Sequence, residues 1–241
     1  MQLYGETHVG MTRHSNQDAF LNTVLSEDTA LVVVCDGMGG AKAGNIASNL
    51  AVQIITDYVK KSYSKSMGSL AIENMLRSAI ESANMEVFET ALSNPDYSGM
   101  GTTVVAAFVR EDKVYIAHVG DSRAYLADKN ALTQITRDHS VVQSLIEQGC
   151  ITPEMALSHP RKNVITRAVG TTDEVQCDFN EVSLKNGAVL ICTDGLTGAI
   201  KTDEILKIIT NNESEAVPRL LIEAANNNNS ADNVTVALIV L

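Results

Sequence analysis

Five aspartates in this 241-residue chain stand where the backbone changes character. Asp36 follows the apolar run 31–35 and precedes Gly37. Asp194 follows 189–193 and precedes Gly195. Asp232 and Asn233 lead into the run 234–240, Asp121 sits in Gly120-Asp121-Ser122-Arg123 between two apolar stretches, and Asp18 closes Asn16-Gln17-Asp18. Taken singly, each can be a turn former, because aspartate is a poor strand residue and bonds readily to its own backbone. Taken together, they are short carboxylates at the rigid ends of buried strands, a placement that can converge oxygen ligands on a hard cation such as Mg²⁺ or Mn²⁺. A glycine after the aspartate leaves the peptide carbonyl open to close approach.

The elements that must position these carboxylates are legible from residue pattern. Segments 30–35, 103–109, 113–119, 122–127, 175–183, 187–193 and 233–240 are rich in Val, Ile and Ala and bounded by Gly, Asp or Asn, which predicts short buried strands. Arg110-Glu111-Asp112 joins two of them as a hairpin. Apolar residues recur at helical spacing across about 43–62 (Ile46, Leu50, Ile54, Tyr58) and 70–92 (Ile72, Leu76, Ile80, Val87). Ser140 opens a capped helix that should stop at Gly149, and Thr152-Pro153-Glu154 starts a short one. Two more helices, about 202–210 and 214–226, precede the last strand. Strands cluster in the middle and do not alternate with helices, so the expected class is α+β, an antiparallel sandwich. No linker, charge block or repeat divides residues 1–241, which are read as one domain.

Composition bounds the partners. Eighteen basic against 29 acidic residues give a net charge of −11. That balance excludes a nucleic-acid backbone or an anionic membrane as the main partner, since both need a basic footprint. Hydrophobic residues make up 45%, enough for a full core. The runs 30–35 and 236–241 are too short to span a bilayer, and the first residues carry no apolar signal core, so a cytoplasmic location is expected. Cys35, Cys150, Cys177 and Cys192 form no CxxC pair and read as free thiols.

The series Arg13-x-x-Asn16-Gln17-Asp18, Asp36-Gly37-Met38-Gly39-Gly40, Gly101-Thr102-Thr103, Gly120-Asp121-Ser122-Arg123, Asp194-Gly195-Leu196-Thr197 and Asp232-Asn233-Val234-Thr235 resembles, in order and spacing, the metal-dependent protein phosphatases of type 2C, most of all their compact bacterial branch. The resemblance implies a four-layer sandwich, two antiparallel β-sheets flanked by helix pairs, with a flap at about 140–170. It implies two to three divalent cations, Mn²⁺ or Mg²⁺. Asp36 would bridge two of them with the Gly37 carbonyl as a further ligand, Asp194 and Asp232 would hold the first, Asp18 would act beside it, and Asp121 would serve a third with Asp194. Arg13 would grip the substrate phosphate. The implied reaction is hydrolysis of phosphoserine and phosphothreonine in proteins by a metal-bridging hydroxide, without a phosphoenzyme. The implied partners are phosphorylated proteins, among them a Ser/Thr kinase and its substrates, and the implied state is a monomer.

The chain departs from that pattern in places. Gln17 stands where many relatives place Glu, which predicts weaker binding of the second cation. Met38 and Ala41 stand where some relatives carry a histidine, so no general acid is assigned; His14 is the histidine nearest Arg13, while His8, His118, His139 and His159 read as structural or surface residues. The Gly39–Gly44 spacing lacks the Lys-Ser or Lys-Thr of a P-loop. Two other readings share these residues: a phosphoprotein-binding module without turnover, and a phosphatase for small phosphoesters.

Overall fold

The computed structural model describes residues 1–184 and 187–241, apart from the side chains at 41 and 42; the Ala41 position therefore lies outside the described residues. The strands are β1 (Gln2–His8), β2 (Asp18–Ser26), β3 (Thr29–Met38), β4 (Gly101–Thr102), β5 (Val104–Arg110), β6 (Lys113–Val119), β7 (Arg123–Ala127), β8 (Leu132–Gln134), β9 (Asp178–Ser183), β10 (Ala188–Cys192) and β11 (Val234–Val240). The helices are α1 (Gly40–Ser62), α2 (Ser69–Ser93), α3 (Val141–Glu147), α4 (Pro153–Ala156), α5 (Asp194–Thr197), α6 (Thr202–Asn211) and α7 (Val217–Asn227).

Two antiparallel sheets result, one in the order β1-β11-β10-β7-β8 and one in the order β2-β3-β5-β6-β9, with β4 pairing β3. Alternation along each central strand explains the stacking. Leu31, Val33 and Cys35 of β3 join the core under α1 and α2, while Val32 and Val34 face the other sheet. On β10, Leu190 and Cys192 pack under α6 and α7, while Val189 and Ile191 meet β3 and β5 residues between the sheets. A strand buried on both faces reads as a continuous apolar run, which is why these strands stand out in the sequence. The order is helix pair, sheet, sheet, helix pair, the four-layer α+β sandwich expected above.

Four strands escape the pattern reading, among them β4, which is only two residues long. β1 and β2 are the outer strands of their sheets and β8 is a three-residue edge; one side of each meets solvent, so polar residues interrupt the apolar signal. The chain therefore begins with three strands before its long helices, where the sequence suggests one. Asp36-Gly37 is also not a turn: both residues lie within β3, and Gly37 N–H donates to Gln17 C=O at 3.1 Å. The insertion after β8 follows its caps. Ser140 Oγ accepts from Gln143 N–H at 3.2 Å, Gly149 takes φ +70°, and Thr152 Oγ1 accepts from Met155 N–H at 3.3 Å. Its return segment pairs at Ser140–Ile165 and Thr102–Val169, which lays 163–169 across the end of the sandwich.

Candidate metal and phosphate site

Each aspartate is delivered by a different piece of the two sheets. Asp18 opens β2 and is the register partner of Asp36 on β3. Asp121 lies in the turn between β6 and β7, which crosses from one sheet to the other. Asp194 starts α5 directly after β10, and Asp232 precedes β11, the neighbour of β10. Asp36, Asp121, Asp194 and Asp232 line one open cavity of about 580 Å³ together with Gly37, Arg13, His14, Gln17, Asn163 and Ile165. Asp18 lies behind this wall.

The backbone of Asp36 is fixed on three sides. Its N–H donates to Thr103 Oγ1 at 2.9 Å, and its C=O accepts from Thr103 N–H at 2.8 Å and from Thr102 Oγ1 at 2.9 Å. Among the described residues, nothing hydrogen-bonds its carboxylate. Gly37 has no room for a side chain: a Cβ would strike Gly44 C=O where α1 crosses β3. Gly195 is likewise pressed against Asn233 C=O. Asp18 Oδ2 accepts from Thr193 Oγ1 at 2.9 Å and Thr235 Oγ1 at 2.6 Å, whereas its Oδ1 is buried and unpartnered, as is Asp194 Oδ1.

Burial dominates the electrostatics. It pushes Asp18 up to about 7 against the lowering effect of its two threonine donors, with Asp194 and Asp232 adding to the rise. It pushes Asp121 up to about 7, helped by the charge of Asp194. Asp36 is raised well above the carboxylate range by burial and then by Asp18 and Asp194, and Asp194 is raised by burial and by Asp232. Opposing charge comes from Arg123, which lies behind the cavity and lowers Asp121 and Asp194, and from Arg13, whose Nη2 bonds Asp232 Oδ2 at 2.8 Å and whose own proton is held more tightly by that bond. A cluster of desolvated carboxylates with unpartnered oxygens, balanced by two arginines that both pair with other acids or sit at its edge, is what an oxygen-ligated dication would neutralise. The residues present therefore fit divalent metal ions.

The residues that hold the carboxylates have no role assigned from sequence, although Asn233 and Thr235 stand in one of the motifs. Thr193 and Thr235 look like ordinary strand threonines, yet they clamp Asp18. Asn233 accepts from Gln17 N–H at 2.8 Å through Oδ1 and donates through Nδ2 to Val9 C=O at 2.8 Å and Ser15 C=O at 3.0 Å, so it ties the Arg13 loop to β11. Arg123 does not face the cavity. It forks onto Asp138, with Nε–Oδ1 at 2.9 Å and Nη2–Oδ2 at 2.6 Å. Gln17 Nε2 donates to Gly40 C=O at 2.6 Å, a bond a glutamate cannot make. His14 lines the cavity beside Arg13.

Two stacked antiparallel sheets with flanking helix pairs bring four aspartates to one end, and known proteins share this arrangement. The protein phosphatase 2C family model matches residues 5–231, and the chain belongs to that family. It is 38% identical over 235 residues to the serine/threonine phosphatase stp of Listeria monocytogenes, covering 97% of this chain and 93% of that one. It is 36% identical over 236 residues to protein phosphatase PhpP of Streptococcus pneumoniae, covering 97% and 94%. The crystal structure of serine/threonine phosphatase Stp1 from Staphylococcus aureus superposes with a TM-score of 0.91 at 38% identity, covering 100% of this chain and 94% of that one. The serine/threonine phosphatase PstP/Ppp of Mycobacterium tuberculosis superposes at 0.88 and 32% identity, covering 98% and 97%.

Proposed function

We propose that the chain is one catalytic domain that hydrolyses phosphoserine and phosphothreonine in proteins with the help of two to three Mn²⁺ or Mg²⁺ ions. The observation that carries the reading is the convergence of Asp36, Asp121, Asp194 and Asp232 on one cavity with Arg13 at its mouth. Asp36, Asp194 and Asp232 would hold the tighter ions with the Gly37 carbonyl, Asp121 with Asp194 would take a weaker one, and Asp18 would act from behind. Bound divalent cations supply water activated at neutral pH and charge to offset the phosphate. Arg13, about half exposed, offers a guanidinium fork suited to two phosphate oxygens. Direct attack by water without a phosphoenzyme is part of this reading; among the described residues no cysteine lines the cavity, so a cysteinyl-phosphate route has no nucleophile there.

The physiological targets are phosphorylated proteins, a Ser/Thr kinase and its substrates among them, met by a monomer in the cytoplasm. Among the described residues no helix is long and apolar enough to cross a membrane. The test is metal-dependent phosphate release from phosphoserine and phosphothreonine peptides, with an aryl phosphate and a sugar phosphate beside them. Release from the peptides that requires Mn²⁺ supports the reading. Tight Mn²⁺ binding without turnover would instead mark a binding module, and preference for the sugar phosphate would mark a small-molecule phosphatase.

A further inference from the structure

Beside Asp121 lie Asp138, nearly buried, and His139, buried, the latter expected from sequence only as a structural or surface residue. Both grip the turn that carries Asp121. Asp138 holds Arg123, two residues after Asp121, by the forked bond already described. His139 holds Gly120, the residue before it, through both of that residue's polar groups: Nδ1 accepts from Gly120 N–H at 3.0 Å, and His139 N–H donates to Gly120 C=O at 2.9 Å. Gly120 sits at φ +102°, and a Cβ there would lie 2.6 Å from Thr103 Cγ2. The turn has one shape, and His139 fits it.

The same residue reaches the flap. His139 C=O accepts from Thr166 N–H at 2.7 Å, and the next residues continue the pairing through Ser140–Ile165 and Val141 N–H to Val164 C=O at 2.9 Å. Asn163 and Ile165, at the start of that segment, line the same cavity as the aspartates.

His118, His139 and Asp178 also lie close enough for one ligand atom from each to fall within 4.8 Å of the others, which suggests a separate metal centre. The hydrogen bonds argue against it. Because Nδ1 of His139 is an acceptor, the neutral ring carries its proton on Nε2, which faces Asp178 Oδ2 at 3.5 Å. A metal at Nε2 would need that proton on Nδ1, where Gly120 N–H already points. Asp178 is further engaged by Arg167 Nη1 at 2.8 Å.

We infer that His139 is a positioning residue that locks the Asp121 turn and the flap wall 163–166 into one register, coupling the weakest cation site to the flap. The inference rests on the reading of Asp121 as a cation ligand.

Calorimetric titration of Mn²⁺ into the metal-free full chain tests it, with backbone amide exchange followed in parallel. His139→Phe keeps a ring and removes the acceptor; it should weaken the weakest association about tenfold, as loss of a group supporting a metal ligand does, leave the tight ones unchanged and speed exchange at Gly120 and Thr166. His139→Asn places an amide oxygen where Nδ1 stood and should stay near the parent in both. Unchanged weak binding and unchanged exchange in His139→Phe would overturn the inference, as would equal losses in the two variants. If Asp121→Asn leaves every association unchanged, the cation reading of Asp121 falls alone and amide exchange decides the role of His139. One measurement on the parent needs no folded variant: ¹⁵N correlation spectra should show His139 with its proton on Nε2. The opposite tautomer, or stoichiometric shifts of both His118 and His139 on adding Zn²⁺, would overturn it.

Discussion

Asp18 and Asp36 are register partners on β2 and β3, so two carboxylates occupy directly opposed positions at the end of one antiparallel pair. Opposed like charges destabilise a sheet, and here burial adds to the cost. Asp36→Asn should therefore leave the metal-free protein folded and melting at the same or a higher temperature. With excess Mn²⁺ it should lose phosphate release by about a thousandfold or more, the scale of several kcal/mol of lost transition-state stabilisation. A melting curve and a phosphate assay check both halves; retained activity would remove Asp36 from its central role.

The opposed pair also sets a pH dependence. Asp18 has a folded pKa of about 7, above the usual carboxylate value. The stability this group contributes is fully present below about pH 4, the ordinary aspartate value, and is lost as pH rises through about 7. His118 and His139, buried and shifted down, slope the other way. The informative quantity is thus the difference in melting temperature between Mn²⁺-loaded and metal-free protein, in which the histidines cancel. It should widen from pH 5.5 to 7.5, on the order of a two-unit window in which the raised carboxylates ionise. A constant difference would mean that the carboxylates are already ionised at pH 5.5.

Arg13 is bound to Asp232 yet half exposed. Such a pair contributes about 0–1 kcal/mol, so Arg13→Ala should barely move the melting temperature. It should raise KM for phosphopeptides about tenfold to a hundredfold, the worth of a charge-assisted hydrogen bond. Unchanged KM and kcat would leave Arg13 as a partner of Asp232 alone.

Gln17→Glu exchanges a donor for a charge. The bond from Nε2 to Gly40 C=O is lost, at about 1 kcal/mol, while a carboxylate is added at the cavity edge. Mn²⁺ titration should show the second association tightened and the melting temperature of the metal-free protein slightly lowered. An unchanged second association would show that Gln17 acts only as a brace for the start of α1.

How much of this was legible in the sequence follows from burial. β3, β5, β10 and β11 are covered on both faces, so their apolar runs announced them; β1, β2 and β8 are edges, and Gln2–His8 shows no such run. The aspartates were legible because acids at the mouths of apolar runs are conspicuous. Thr193, Thr235 and Asn233 were not, since threonine in a strand is unremarked and their contacts with Asp18 and Gln17 depend on which strands pair. His139 reads only as a structural or surface residue for the same reason: its partner, Gly120, lies across a turn whose shape the sequence does not state.

The two Asp-Gly pairs place opposite mutational phenotypes on adjacent residues. At 36 and 194 the side chain faces a cavity, so substitution is expected to yield abundant but inert protein. At 37 and 195 the missing side chain is what lets Gly44 and Asn233 approach, so even alanine should reduce the amount of folded protein recovered. In a complete substitution scan read for both abundance and activity, each pair would appear as a sharp boundary between the two kinds of loss, one residue wide.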